Sequence, residues 1–235
     1  MKEHHDWNDS YRDGNLPWDT GRPSSELQRV VSRIAMQPCR ALELGCGTGT
    51  NCVWMAQQGF EVTGVDVAPL AVEQAKTRAL DAGVEVHFVV GDVLHLPDLD
   101  GPFAFFFDRG CYHAVRRSAP EMYAPSVARQ LVAGGRGLIL AGNAREPQDP
   151  GPPVVAEQQL RDELGQVFQI LEVRYRRLLR MQQASKQRTV RQRARFARLL
   201  LRSVQREVVT LPCLLLPVFF GLGAGFLGYN RAHEQ

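Results

Sequence analysis

Ala41-Leu42-Glu43-Leu44-Gly45-Cys46-Gly47-Thr48-Gly49 is a short apolar strand carrying one acid, followed by a run in which every second residue is glycine. Missing side chains let the backbone of such a turn approach a ligand, and the N–H groups that open the next helix face an anionic group. Many nucleotide-binding βαβ units share this loop, so its meaning depends on its neighbours.

Upstream, Leu27, Val30, Val31 and Ile34 recur at helical spacing over Glu26 to Met36, and Pro38 ends the run. Downstream the periodicity predicts a helix from Cys52 to Gln58, a strand from Phe60 to Val65, a helix from Pro69 to Ala82 and a strand from Val84 to Val90. Phe103 to Phe107, Gly137 to Ala141 and Phe168 to Tyr175 read as further strands. Helices are expected over Glu121 to Val132 and Val155 to Leu164, with a Pro-rich loop at Pro147 to Pro153. Strands alternating with helices of this length imply right-handed crossovers. The fold class is therefore α/β, a Rossmann-like, mostly parallel sheet of the seven-stranded type with helices on both faces; the identity of the last strand is left open.

The 235 residues, 44% hydrophobic, suffice for one such domain. Five cysteines form no C-x-x-C pair and do not cluster with histidine, so neither a metal site nor a disulfide framework is indicated. Met1 to Ser10 has no apolar core of a signal peptide, so a cytoplasmic location is expected for the globular part of the chain. The net charge of +3 hides a division: residues 1–170 hold 15 basic and 22 acidic side chains, and residues 171–235 hold 13 and 3.

In open parallel sheets the ligand lies beyond the carboxyl ends of the strands. The first strand ends in the glycine loop. The second ends at Asp66-Val67, and Asp66 stands 21 residues past Gly45, the spacing at which an acid receives a ribose diol. The third ends at Gly91-Asp92-Val93, where a carboxylate suits an adenine amino group. The fourth ends in Asp108-Arg109-Gly110-Cys111-Tyr112-His113.

Glu43-Leu44-Gly45-Cys46-Gly47-Thr48-Gly49, Gly64-Val65-Asp66 and Gly91-Asp92-Val93 resemble the motifs of class I S-adenosylmethionine-dependent methyltransferases. Leu16-Pro17-Trp18-Asp19-Thr20-Gly21-Arg22-Pro23 and Asp108-Arg109-Gly110 are similar to the thiopurine S-methyltransferase and tellurite-resistance group of small-molecule enzymes. The resemblance implies S-adenosylmethionine as cofactor. It assigns Glu43, Leu44, Gly45, Gly47 and Gly49 to the methionine moiety, Asp66 and Val67 to the ribose side, Asp92 and Val93 to the adenine, and Trp18 and Arg109 to the outer side. The Phe-His pair that thiopurine enzymes carry after the lid glycine is absent.

The expected reaction is methyl transfer to a small acceptor that is a soft nucleophile: a thiol, a selenium or tellurium species, or a heteroaromatic sulfur or nitrogen. Tyr11, Tyr112 and His113 are expected to line the acceptor pocket, with His113 or Asp108 as candidate base. Three other readings compete. A nicotinamide oxidoreductase shares the loop but wants G-x-G-x-x-G, and here Thr50 occupies the third position. A nucleic-acid methyltransferase is disfavoured by the absence of an Asn/Asp-Pro-Pro-aromatic element, so no nucleic-acid partner is expected; a non-catalytic cofactor-binding protein is the third.

Four segments follow: an N-terminal lid (1–25), the methyltransferase domain (26–180), a basic amphipathic helix (181–207) and a hydrophobic segment (208–229). From Gln187 to Val208, Val190, Ala194, Ala197, Leu201, Val204 and Val208 alternate at spacings of four and three among seven arginines. Val208 to Tyr229 has 22 residues without a charge. As a helix it would span roughly 33 Å, so membrane association through 187–229 is expected; the alternative is a buried element in place of the last strand, which Pro212 and Pro217 disfavour.

Overall fold

A computed structural model describes residues 6–14, 16–143, 154–181 and 191–203. The elements run α1 (Trp7–Asp13), α2 (Ser25–Arg33), β1 (Arg40–Leu44), α3 (Thr50–Gln57), β2 (Glu61–Asp66), α4 (Pro69–Asp81) and β3 (His87–Val90), then a 3₁₀ turn over Val93–His95. They continue with β4 (Phe103–Arg109), α5 (Cys111–Val115), α6 (Pro120–Ala128), β5 (Leu131–Asn143), β6 (Val154–Val155), α7 (Glu157–Leu164), β7 (Phe168–Met181) and β8 (Arg191–Ser203).

The strands form one sheet in the order β3-β2-β1-β4-β5-β8-β7, with the short β6 beside the end of β5. β1 pairs in parallel with β2 and β4, as do β2 with β3 and β4 with β5, while β8 runs antiparallel to both β5 and β7. The expected Rossmann-like sheet is therefore present.

Alternation along the strands divides the core in two. Leu42, Leu44, Phe106, Ile139, Leu199 and Leu201 enter one cluster with residues of α6 and α7. Ala41, Phe105, Phe107, Leu138, Leu140 and Leu200 enter the other with residues of α2, α3 and α4. A strand covered on both faces needs apolar residues at every position, which is why Phe103 to Phe107 reads as an unbroken run.

The same principle corrects the expectation of a basic amphipathic helix at 181–207. Over Arg191–Ser203 the chain is the extended strand β8, seated between β5 and β7. Leu199 and Leu201 fill one core, Leu200 fills the other, and the buried Arg198 is neutralised by Glu26 at 3.4 Å and Glu172 at 2.6 Å. β8 also supplies the last strand. Two boundaries shift as well: α6 ends at Ala128 and Leu131 already opens β5, and β3 begins at His87. The Pro-rich loop and the hydrophobic segment 208–229 lie outside the described residues. Among those described, no helix is long and apolar enough to cross a membrane.

Candidate active site

β1 ends on Glu43 and the glycine loop. Glu43 is 1% exposed and lies beneath the loop: Asn51 Nδ2 donates to its Oε1 at 2.7 Å and the Cys52 thiol to its Oε2 at 2.9 Å. Burial pushes its carboxyl up from 4.5 to about 7. The Leu44 side chain is wholly inside the core, so only its backbone belongs to the edge. Gly45 and Gly47 both adopt positive φ, at 62° and 54°. A Cβ on Gly45 would stand 2.7 Å from Cys111 Cβ, and one on Gly47 would meet the Tyr11 hydroxyl at 3.1 Å. Gly45 thus lets α5 approach, and Gly47 keeps open the gap between loop and lid. Gly49, at φ 77°, starts α3 against Ala75.

Asp66 closes β2 from the other side. Its Oδ2 accepts the Gly47 N–H at 2.8 Å and its Oδ1 the Ala68 N–H at 3.0 Å. Burial raises the carboxyl above its ordinary value, against the pull of the Ala68, Gly47 and Val67 N–H groups, which leave one of its four acceptor positions open. Val67 beside it is 52% exposed. Asp92 accepts from Leu94 N at 2.9 Å and keeps an open side, whereas the Val93 side chain is buried in the core.

The lid is stitched onto this edge. Asn8 accepts from Leu70 N at 3.0 Å, at the start of α4. Asp19 accepts from the Thr48 hydroxyl at 2.5 Å, Arg78 donates to the Thr48 carbonyl at 2.8 Å, and Ser24 N–H donates to Asn51 Oδ1 at 2.8 Å. Trp18 meets Trp7 and Tyr11 edge-on at 5.6 and 6.2 Å, packed with Ala68 and Ala71. Tyr11 lies close enough to Asp66 for that carboxylate, together with burial, to raise its phenol.

At the end of β4 three expected site residues take different roles. Asp108 is fully buried and accepts from Cys111 N at 3.0 Å, Tyr112 N at 2.9 Å and the Tyr123 hydroxyl at 2.7 Å. It builds the turn into α5, and burial lifts it to about 7. Tyr112 does not line a pocket: its ring packs on Tyr123 at 5.0 Å, and its hydroxyl donates to Glu163 of α7 at 2.7 Å, beside Arg116. His113 Nδ1 accepts from Gly142 N at 3.0 Å, and burial lowers the ring to about 4. The backbone N–H can only donate, so the neutral ring carries its proton on Nε2 and has no lone pair left for a substrate proton. Arg109 is half-buried, with Glu43 and Asp19 as its nearest opposing charges and no hydrogen bond among the described residues.

The structure therefore gathers Tyr11, Trp18, Gly45, Gly47, Asp66, Val67, Asp92 and Arg109 around one edge. It withdraws Tyr112, Asp108 and the side chains of Leu44 and Val93 into the protein. Asn51, Asp19, Thr48 and Arg78 complete the site and were not foreseen, because each acts through a partner distant in sequence. The edge fits S-adenosylmethionine. The acceptor position left on Asp66 suits a ribose hydroxyl, a guanidinium without a hydrogen bond among the described residues matches a carboxylate, and a side chain at Gly47 would fill the gap under Tyr11.

The Thiopurine S-methyltransferase family model matches residues 2–202. The thiopurine S-methyltransferase of Bordetella petrii is 32% identical over 162 residues, 63% of this chain and 74% of that protein. The 2-heptyl-1-hydroxyquinolin-4(1H)-one methyltransferase of Mycobacteroides abscessus is 27% identical over 165 residues, 69% and 72% of the two chains. The Burkholderia thailandensis 1,6-didemethyltoxoflavin-N1-methyltransferase, solved with S-adenosylhomocysteine, superposes with a TM-score of 0.64 at 21% identity, over 84% of this chain and 85% of that one. A structure from work on the conversion of a disulfide bond into a thioacetal group during echinomycin biosynthesis reaches 0.71 at 22%, over 83% and 89%. The chain belongs to the thiopurine S-methyltransferase family and is an S-adenosylmethionine-dependent methyltransferase of small molecules.

Proposed function

We propose that the acceptor is a planar heteroaromatic or other soft nucleophile that reaches the site already ionised, such as an acidic heteroaromatic thiol or a selenium or tellurium anion. The observation that carries this reading is the Gly142 N–H on His113 Nδ1, which removes His113, the candidate base after β4, from that role. Asp108 is committed to three donors and Tyr112 to Glu163, so neither takes a proton from substrate. The names of the two relatives, a thiopurine and a hydroxyquinolone enzyme, support a heteroaromatic acceptor.

On this reading the backbone of Gly45, Gly47 and Gly49 cradles the methionine moiety and Arg109 takes its carboxylate. Asp66 receives the ribose hydroxyls, Val67 lies beside the ring, and Asp92 with the Val93 backbone holds the adenine. Tyr11 and Trp18 roof the sulfonium, where an aromatic face contributes about 0.5–2 kcal/mol. The bound cofactor supplies the electrophilic methyl group and its leaving group. The acceptor lone pair forms the new bond to carbon as the C–S pair stays on sulfur. The protein's own part is orientation and exclusion of water, an effect worth roughly 7–11 kcal/mol.

A pH series of kcat/KM with acceptors of graded acidity tests this. The acid limb should move with each acceptor's own pKa; a limb fixed across acceptors and abolished by His113→Asn would refute it. Membrane attachment through the uncharged 208–229 segment is a separate proposal, carried by composition alone, and full-length protein recovered entirely without detergent would refute it.

A further inference from the structure

We propose that Asn51 is the positioning residue that couples closure of the N-terminal strap, residues 16–24, to the shape of the cofactor loop. Glu43 and Asn51 stand at the two ends of the Gly45–Gly49 loop and are bonded to each other across it, Nδ2 to Oε1 at 2.7 Å. The other end of the same amide accepts the Ser24 N–H at 2.8 Å, where the strap enters α2. A backbone N–H can only donate, so the amide's orientation is fixed: oxygen toward Ser24, nitrogen toward Glu43. All three residues are buried.

The neighbouring Cys52 holds the second carboxylate oxygen at 2.9 Å, so both oxygens of Glu43 are gripped by the first turn of α3. The strap has a second anchor on the same loop, Asp19 on the Thr48 hydroxyl at 2.5 Å, with Arg78 completing it. Trp18 stands immediately before the Asp19 anchor. Any change in the spacing of the loop's ends is passed through one rigid amide to Ser24, and from there to the strap that carries Trp18 over the loop. Neither link depends on the acceptor. The inference rests on the glycine loop being the cofactor cradle, and its test separates the two.

Calorimetry with S-adenosylhomocysteine and amide hydrogen exchange of residues 16–24, with and without that ligand at saturation, read the coupling. Wild type should gain protection over 16–24 on binding. Asn51→Ala should bind at least tenfold more weakly and lose most of the ligand-induced protection. Asn51→Asp keeps the acceptor for Ser24 and loses the donor to Glu43, so it should bind at least tenfold more weakly yet still protect the strap at saturation. If Asn51→Ala fails to fold, the aspartate variant carries the test through this split. Wild-type affinity in either variant overturns the inference, and so does weakened binding with full strap protection in Asn51→Ala. Gly47→Val is the control for the cradle: normal binding there refutes the cradle itself, whereas lost binding there with unaltered Asn51 variants refutes only the coupling.

Discussion

Replacing Glu43 by Gln should make the protein more stable at alkaline pH and leave it unchanged in acid. The Glu43 carboxyl is 1% exposed, and burial lifts it from 4.5 to about 7. A raised acid binds its proton more tightly in the folded than in the unfolded chain. Its contribution is therefore fully present below about pH 4.5 and is lost as pH rises through about 7. At 1.36 kcal/mol per unit the loss approaches about 3 kcal/mol. Glutamine keeps an oxygen for Asn51 and has no charge to bury, so this loss is absent from the variant. For a chain of this size, 1 kcal/mol moves Tm by roughly 2–4 °C, which makes the expected gap about 6–12 °C above pH 8. Thermal melts of both proteins at half-unit steps from pH 4.5 to 8.5 measure it. Subtracting the two curves removes Asp108, which titrates over a similar window, and His113, which titrates in the opposite sense. Parallel curves would show that Glu43 does not change charge in this range and would refute the reasoning.

His113→Asn should leave the pH dependence of kcat unchanged while lowering Tm by several degrees, since the Gly142 N–H loses a well-placed acceptor; a lost acid limb in kcat would identify a base instead. Arg198→Met should cost less than about 1 kcal/mol in urea unfolding, because Glu26 keeps Arg29 and Glu172 keeps Arg33. The double variant Glu26→Gln, Glu172→Gln should cost about 3–5 kcal/mol by the same measurement, because it strands the Arg198 guanidinium in the sheet. Gly45→Ala should destabilise by about 1–3 kcal/mol, from the positive φ of 62° and the 2.7 Å approach to Cys111 Cβ; an unchanged melt would show that α5 gives way freely.

The half of the sheet that holds the cofactor edge was legible because β1, β2 and β4 are each followed directly by a helix, and punctuation by Gly59, Asp66, Gly83 and Asp92 marks the ends. In the outer half β5, α7 and β7 were read as well, and β8 was not. Over residues 198–201 β8 is buried on both faces, and Arg198 looks like part of a solvated helix face until Glu172 on β7 and Glu26 on α2 are brought beside it. Side-chain direction escaped for the same reason. Whether Tyr112 faces a pocket depends on Glu163, 51 residues away, and whether His113 has a free nitrogen depends on Gly142, 29 residues away.

Four acids at four strand ends look alike in the sequence, and the structure divides them. Glu43 and Asp108 turn inward, each spending its oxygens on the first turn of the helix after its own loop: Asn51 and Cys52 of α3 for one, Cys111 and Tyr112 of α5 for the other. Both are lifted toward neutrality by burial, and neither has an oxygen to offer a ligand. Asp66 and Asp92 instead stand at the open edge: Asp66 takes the N–H groups of Ala68 and of Gly47 in the glycine loop beneath Tyr11, and Asp92 takes the Leu94 N–H beside His95 at the surface. Two acids thus shape the loops and two are left to meet a bound molecule. A donor that brings its own electrophile and leaving group requires no more than this. On the proposed reading, the acceptor is then chosen by the ionisation it brings and by the shape of the space beneath Trp18 and Tyr11.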